Sequence, residues 1–573
     1  MAGAFSYASD WESTWAPKVT TAPRAVRLIP RGHRILIGSG AAEPLQLVEA
    51  MVGASASFAD NEVVHLLTLG PAPYTRPEFS RAFRHVAFFI GANVRSAVQD
   101  GRADFIPVFL SEIPQLIRSG RFPIDVALVQ VSPPDRHGYV SLGVSVDVVR
   151  ATVDTARIVI AEVNPRMPRT SGDSFVHASR LTCMVPVDTP LLELTSEPPG
   201  EVEREIGRHV ASLVPDGATL QVGIGKIPNA VLAALHDRRN LGIHTEMLSD
   251  GIMTLAETGA VNGQKKDFLP GKMVTSFIMG SQRLYDWSHE HPAIEMRPSE
   301  FTNDPFVIAR HSRMISINTA LAVDLTGQVA ADSIHGRPYS GIGGQVDFIR
   351  GAARSLGGKA IIALRSTAKN GTLSRIQSAL EAGAAVVTSR GDVRYVVTEY
   401  GVADMWGKSV RERATALIDI AHPDFRNDLL NAGKARHYVF PDQLVPKLAK
   451  HRVEDFTVML PAGRSVLVRG ARATDASGVH RLFYSSPDHG SALRFLGLKE
   501  DDSPQAFQSV LESDEERCLV LVACDASSSE LVGTAQYELN RATEFAAVGL
   551  IVRDDWKGLG VGTILMRRLI EVA

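Results

Sequence analysis

The chain has 573 residues, of which 45% are apolar and 21% charged, and a formal charge of −3. That length exceeds what one hydrophobic core supports, and the balanced composition excludes a mainly disordered or mainly membrane-embedded chain. With no basic block or Lys/Arg stripe, neither nucleic acid nor an anionic membrane is expected as a partner.

Strand-like runs recur between helical patterns, beginning with RILIGSG (34–40) and followed by DVALVQV (125–131), ARIVIAEV (156–163), ATLQVGIG (218–225) and KAIIAL (359–364). Their unbroken Val/Ile content fits strands buried on both faces, which places the chain in the α/β class with parallel sheets covered by helices. Two of these units look alike. RILIGSGAAEPLQLVEAM (34–51) and ATLQVGIGKIPNAVLAAL (218–235) each run strand, Gly-x-Gly, turn, Pro and helix. Two related α/β halves are therefore expected, meeting near EPPGEVEREIG, where the strand pattern breaks. After TVMLPAGRS (457–465) a fresh strand, SVLVRGA, a helical ATDASGVHRLFYSS and loop-like stretches ESDEERC and CDASSSE suggest a separate small domain. Cys183, Cys518 and Cys524 lack metal-ligand spacing and are too few for a disulfide framework. No metal site is expected. The first thirty residues carry no basic start followed by an apolar core, and no later run reaches the length of a membrane span, so a cytoplasmic location is expected.

Three segments carry candidate chemistry. In QVGIGKIPN, Gly223 and Gly225 permit close backbone approach and lead into a helix N-terminus with Lys226 beside it, a pattern suited to an anion such as a pyrophosphate. A dinucleotide fingerprint would require a third glycine where Pro228 stands. A turn without any ligand also accounts for the glycines. Glu246 sits among Ile243, Met247 and Leu248, so a buried face is expected around a carboxylate that then needs hydrogen bonds or a charge partner. His244 would share that face in a strand, and a packed imidazole is the simpler reading of it. In YSGIGGQVDF, Gly341, Gly343 and Gly344 fit neither a strand nor a helix comfortably, so backbone N–H groups turned toward an oxyanion, or a plain tight turn, are both expected readings.

Together, GIGKIPNAVL, GIHTEMLSDG, INTALAVDLTGQV (317–329), SGIGGQVDF, VVTEYGVADMWGKSVRERA (396–414) and IAHPDFR (420–426) resemble the acetyl-CoA hydrolase/transferase family, in its 4-hydroxybutyrate and butyrate CoA-transferase branch. Upstream, HLLTLGPAPY, FFIGANVR, GRADFIPVFLSEIP, VSPPDRHGYVSLG and VNPRMPRT extend the resemblance over roughly residues 10–450. It implies an N-terminal CoA-transferase domain over 10–200 and a second over 201–455, with Glu246 as nucleophile forming a glutamyl-CoA thioester. An unperturbed glutamate is ionised at neutral pH, so no general base is required. Ile224 N–H and Gly344 N–H are the expected oxyanion donors. Gly223, Ile224, Gly225, Lys226, Ile227, Gly341, Gly343, Gly344 and, more weakly, Lys369 are the expected coenzyme A contacts. Asp250 and Glu399 are read as structural acids, and Phe88, Phe89 and Met253 as candidates for shaping the acyl pocket.

The implied reaction exchanges coenzyme A between short acids such as acetate, butyrate or 4-hydroxybutyrate, with acyl-CoA as substrate, no permanently bound cofactor and a possible homodimer. Hydrolysis by the same glutamate, and a CoA-binding regulatory protein or GNAT-type acetyltransferase, are the alternatives. The tail resembles the GNAT acetyltransferases through Lys557-Gly558-Leu559-Gly560-Val561-Gly562, giving an α+β domain over 465–573. The strand and helix that usually follow this motif are missing before Ala573, so a truncated chain, an incomplete domain and a domain completed by another chain are all expected readings.

Overall fold

The computed structural model describes residues 10–195, 197–441, 443, 453, 455–472, 475–484, 518–540 and 545–572. They fall into two compact units, Met1–Trp406 and Gly407–Ala573.

The first unit contains two parallel sheets. One has seven strands in the spatial order Ala103–Phe105, Phe83–Ala87, Asn61–His65, Arg34–Ile37, Val126–Val131, Ile158–Val163 and Cys183–Pro186. Every neighbouring pair is parallel. The chain winds outward from Arg34–Ile37 to one edge, then crosses back and builds the other side. Val126–Val131 is buried along its whole length, as its continuous apolar run requires in a sheet with both faces covered. The second sheet runs Gly242–Ile243, Thr219–Val222, Met314–Thr319, Lys359–Ala363, Tyr395–Thr398 and Gly401–Asp404, and only its last pair is antiparallel.

The two sequence units noted above occupy equivalent places. Arg34–Ile37 and Thr219–Val222 are each the first strand of their sheet, and each lies beside the gap where the winding reverses. In open α/β sheets that reversal leaves a crevice at the carboxyl ends of the strands, where ligands bind. The glycine-rich turns 38–40 and 223–225 follow those strand ends directly. One apolar core, running from Leu36 through Ile243 and Leu248 to Val397, spans both halves.

The second unit holds the helices Val410–Asp419 and Pro423–Ala435 and an antiparallel sheet of five strands. Those strands are Phe456–Met459, Ser465–Gly470, Cys518–Asp525, Leu531–Asn540 and Phe545–Val552, adjacent in chain order. Ala476–Tyr484 and Val561–Val572 supply its helices, and Val466, Leu521, Trp556 and Leu565 are in its core. CDASSSE spans the turn between the third and fourth strands, whereas residues 512–517 of ESDEERC lie outside the described residues. Gly558 and Gly560 have positive φ, 77° and 92°, and carry the chain from strand to helix through a conformation that favours glycine.

Glycine also sets the helix packing that supports the second sheet. A Cβ at Gly207, in the helix Glu201–Ser212, would lie 2.7 Å from the carbonyl oxygen of Ala230 in the helix Lys226–Ala233. Backbone on the far side cannot yield as a flexible side chain would. Gly207→Ala is therefore expected to destabilise the first unit by about 1–3 kcal/mol, read as a lower urea midpoint by tryptophan fluorescence.

Candidate active site

The site is assembled at the carboxyl end of Thr219–Val222. Thr245 Oγ1 bridges to Val222, donating to its carbonyl at 3.2 Å and accepting from its N–H at 3.4 Å. This bridge brings Glu246, the next residue, alongside the start of the 223–225 turn. The Glu246 carbonyl accepts from the N–H groups of Ser276 and Phe277, both at 3.0 Å, and from Thr275 Oγ1 at 3.2 Å. The Ser276 carbonyl in turn accepts from Val146 and Asp147 of the first half, at 3.0 and 3.2 Å. The backbone of Glu246 is thus fixed by both halves of the unit.

Its carboxylate has two close neighbours. Asn303 Nδ2 donates to Oε2 at 2.9 Å. On the other side is Gly344, where an added Cβ would overlap both Glu246 Oε2 and Asn303 Nδ2. Gly344 has an ordinary φ of −95°, so the close approach requires glycine here and backbone strain does not. No acceptor among the described residues takes the N–H of Gly344 or of Ile224. Burial raises the Glu246 carboxyl above the usual carboxylate range, and the Asn303 hydrogen bond offsets only part of that rise. The expectation of an unperturbed glutamate is corrected accordingly, because desolvation outweighs the one hydrogen bond.

Two buried histidines support this arrangement. His244 Nε2 lies 2.8 Å from the Thr302 carbonyl, which can only accept, so Nε2 carries the proton and Nδ1 accepts from His311 Nε2 at 3.2 Å. Burial lowers both, His311 to about 3, and they are neutral at physiological pH. Their role is to hold Thr302, the residue before Asn303.

The glycine-rich segment 341–344 lies under the first half. Gly341 is explained by packing, since a Cβ there would be 2.8 Å from the Phe89 ring and 3.1 Å from the Phe88 carbonyl. Gly343, with φ of +58°, accepts at its carbonyl from Leu110 N–H at 3.1 Å. In the opposite turn, Gly225 has φ of +111° and precedes the helix Lys226–Ala233. Added Cβ atoms at Gly223 and Gly225 would meet nothing within 4 Å, so the space above this turn is open. Ile224 is 41% exposed, Ile227 packs against the core, and Lys226 pairs with Glu197 at 2.6 Å.

Lys369 is set apart from these residues. It lies exposed at the tip of the hairpin formed by Thr367–Ala368 and Leu373–Ser374, and no contact joins it to Glu246. Asp250 accepts from Ser281 N–H at 3.1 Å and from its hydroxyl, and Glu399 accepts from Ser366 N–H and Oγ at 2.9 and 2.6 Å. Both acids fasten loops. Met253 is buried in the helix Asp250–Glu257.

Sequence reasoning missed Asn303, His311 and Asp347. Asp347 lies in the first turn of the helix Gln345–Arg354, and burial pushes its carboxyl up to about 7 against two hydrogen bonds from Ser111, with the Glu246 charge adding to the rise. Asn303, in SEFTNDPF, carries no motif that would mark it. Among the described residues, no group of three or more His, Cys, Asp or Glu could hold a metal, and no helix is long and apolar enough to cross a membrane.

The Glu246 carboxylate thus lies against Gly344 with Asn303 as its donor, just beyond the first strand of the second sheet, where the strand order reverses. Residues 6–193 match the acetyl-CoA hydrolase/transferase N-terminal domain, and residues 280–433 match its C-terminal domain. Residues 487–573 match the GNAT acetyltransferase family. The 4-hydroxybutyrate coenzyme A transferase of Clostridium kluyveri is 49% identical over 427 residues, which are 74% of this chain and all of that one. The crystal structure of RipA from Yersinia pestis superimposes with a TM-score of 0.72 at 37% identity, covering 75% of this chain and all of RipA. A 4-hydroxybutyrate CoA-transferase from Porphyromonas gingivalis superimposes with a TM-score of 0.65 at 42% identity, covering 74% of this chain and all of that protein. The chain belongs to the acetyl-CoA hydrolase/transferase family and carries a GNAT domain at its C-terminal end.

The raised Glu246 carboxyl has a consequence for stability. The folded state holds the proton more tightly than the unfolded chain, so ionisation weakens the fold as pH rises from the unfolded value through the folded one. Glu246→Gln removes that charge. Its unfolding midpoint is expected to exceed that of wild type at neutral pH, with the gap closing below the unfolded carboxylate value of about 4.3.

Proposed function

We propose that the protein is an acyl-CoA:carboxylate CoA-transferase for short-chain acids and that Glu246 is its nucleophile. The observation that carries this reading is the contact of the Glu246 carboxylate with Gly344, whose N–H has no acceptor among the described residues. It is supported by the 49% identity to the Clostridium kluyveri 4-hydroxybutyrate coenzyme A transferase over that protein's whole length.

A Glu246 oxygen attacks the acyl-CoA carbonyl carbon, and the carbonyl electron pair moves onto oxygen. Gly344 N–H and Ile224 N–H receive that oxyanion; one such donor is commonly worth about 3–4 kcal/mol. Collapse breaks the C–S bond, releases CoA thiolate and leaves a glutamyl acyl anhydride. The thiolate then attacks the glutamyl carbonyl and expels the acyl group as its carboxylate, giving a glutamyl-CoA thioester. An incoming acid repeats these steps in reverse. Partial burial suits Glu246 to the task, because a carboxylate that has lost part of its water is more basic, and attack discharges the anion. Asn303 holds the carboxylate in orientation. Gly223 and Gly225, with open space above them, leave room for the pantetheine and phosphates at the N-terminus of the helix Lys226–Ala233. Hydrolysis follows if water resolves the same thioester, and release of free CoA without an acceptor acid would identify it.

Wild type mixed with acetyl-CoA is expected to gain a covalent CoA adduct, visible by mass and lost on adding acetate. Glu246→Ala should form none and lose about 1,000-fold or more of its turnover. Wild-type protein that stays unmodified with acetyl-, butyryl- and 4-hydroxybutyryl-CoA would overturn the reading. Asn303→Ala removes the hydrogen bond that lowers the Glu246 pKa, so the acid limb of kcat/KM should move to higher pH, with about 10-fold or more lost at neutral pH.

A further inference from the structure

We propose that Asp347 and Ser111 form a clasp that holds the Gly344 backbone against Glu246, which makes both of them positioning residues for formation of the glutamyl intermediate. The inference rests on the transferase reading above.

Asp347 is 4% exposed and sits three residues after Gly344. Ser111, from the first half of the unit, donates its N–H to Oδ2 at 3.2 Å and its hydroxyl to Oδ1 at 2.9 Å. Both carboxylate oxygens are therefore engaged by one residue that lies 236 positions away in the chain. The residue before it, Leu110, donates its N–H to the Gly343 carbonyl at 3.1 Å. Leu110 and Ser111 thus grip Gly344 from both sides, through Gly343 and Asp347. Further upstream, Arg95 donates Nε to the Tyr339 carbonyl at 2.7 Å and stacks 3.9 Å from its ring centroid, and Gln99 Nε2 donates to the Pro338 carbonyl at 3.1 Å. The segment 338–347 is tied to the first half at each end.

Such ties are needed because glycines at 341, 343 and 344 leave this backbone with more conformational freedom than residues bearing a Cβ would. An oxyanion donor contributes only when its direction is fixed before the charge develops, and small misplacements cost rate steeply. The charge of Asp347 is not what the site uses, since a second anion beside Glu246 opposes its ionisation. Asparagine can keep the fork without that charge, accepting the Ser111 N–H through Oδ1 and donating Nδ2 to the hydroxyl oxygen.

The test uses the full chain with acetyl-CoA and acetate, following kcat, KM and the single-turnover rate of the CoA adduct. Asp347→Ala is expected to lower kcat and the adduct rate by about 10-fold or more with KM for acetyl-CoA within about 3-fold, and Ser111→Ala to do the same in part. Combining them should cost little beyond Asp347→Ala alone, since the two act through one interaction. Asp347→Asn and Ser111→Thr should stay within about 3-fold of wild type. If Asp347→Ala does not fold, Ser111→Ala carries the test, because it deletes only the hydroxyl arm. Adduct formation at the wild-type rate in the alanine variants, loss in Asp347→Asn equal to that in Asp347→Ala, or a rise in KM at unchanged kcat would each overturn the clasp while leaving Glu246 as nucleophile. Wild type that forms no adduct overturns the transferase reading and this inference with it.

Discussion

The carboxylate of Glu246 lies against a residue that has no side chain, and the first unit is built around that contact. Any Cβ at position 344 would enter the space held by Glu246 Oε2 and Asn303 Nδ2. The approach costs the carboxylate much of its water, and one side-chain amide replaces only part of what is lost. A free surface loop would relax such an arrangement. Here the Glu246 carbonyl is held by 275–277, which is itself hydrogen-bonded to 146–147, and the two halves of the unit close on each other through the backbone of Glu246.

The ionisable groups around the site follow from the same burial. His244 and His311 are neutral, so they orient Thr302 without placing a cation beside Glu246. The Asp347 carboxyl, pushed up to about 7, titrates near neutrality and does not add a full second anion. Among the described residues no cation pairs with the Glu246 carboxylate, which leaves the Asn303 hydrogen bond as the contact that lowers its pKa.

The two parallel sheets repeat one plan but use it differently. After the first strand of the second sheet, the glycine turn leaves open space, since added Cβ atoms at Gly223 and Gly225 would meet nothing within 4 Å. After the first strand of the first sheet, the turn runs into Glu43, which is buried, accepts from Gly70 N–H at 2.7 Å and is pushed up to about 7 by desolvation. That acid closes its own half by holding the neighbouring loop. The first half contributes to the candidate site from outside, with Phe89, Leu110 and Ser111 laid over the glycine-rich segment.

The sequence by itself determined the α/β class, the repeated strand–glycine–helix unit and the glycine-rich segments flanking a carboxylate. Those features are local: an unbroken Val/Ile run describes its own burial on both faces, and a glycine pair describes its own turn. The family resemblance added Glu246, Ile224 and Gly344 as a set. Only the tertiary structure decided that Asn303 holds Glu246, that Gly341 serves the Phe89 contact, that Lys369 stands apart on a hairpin tip, and that Asp347 meets Ser111. None of these pairings leaves a periodic trace in the chain. Asn303 is 57 residues from Glu246 and Ser111 is 236 from Asp347, distances over which partners are selected by how sheets and loops pack and by which polar groups that packing strips of water.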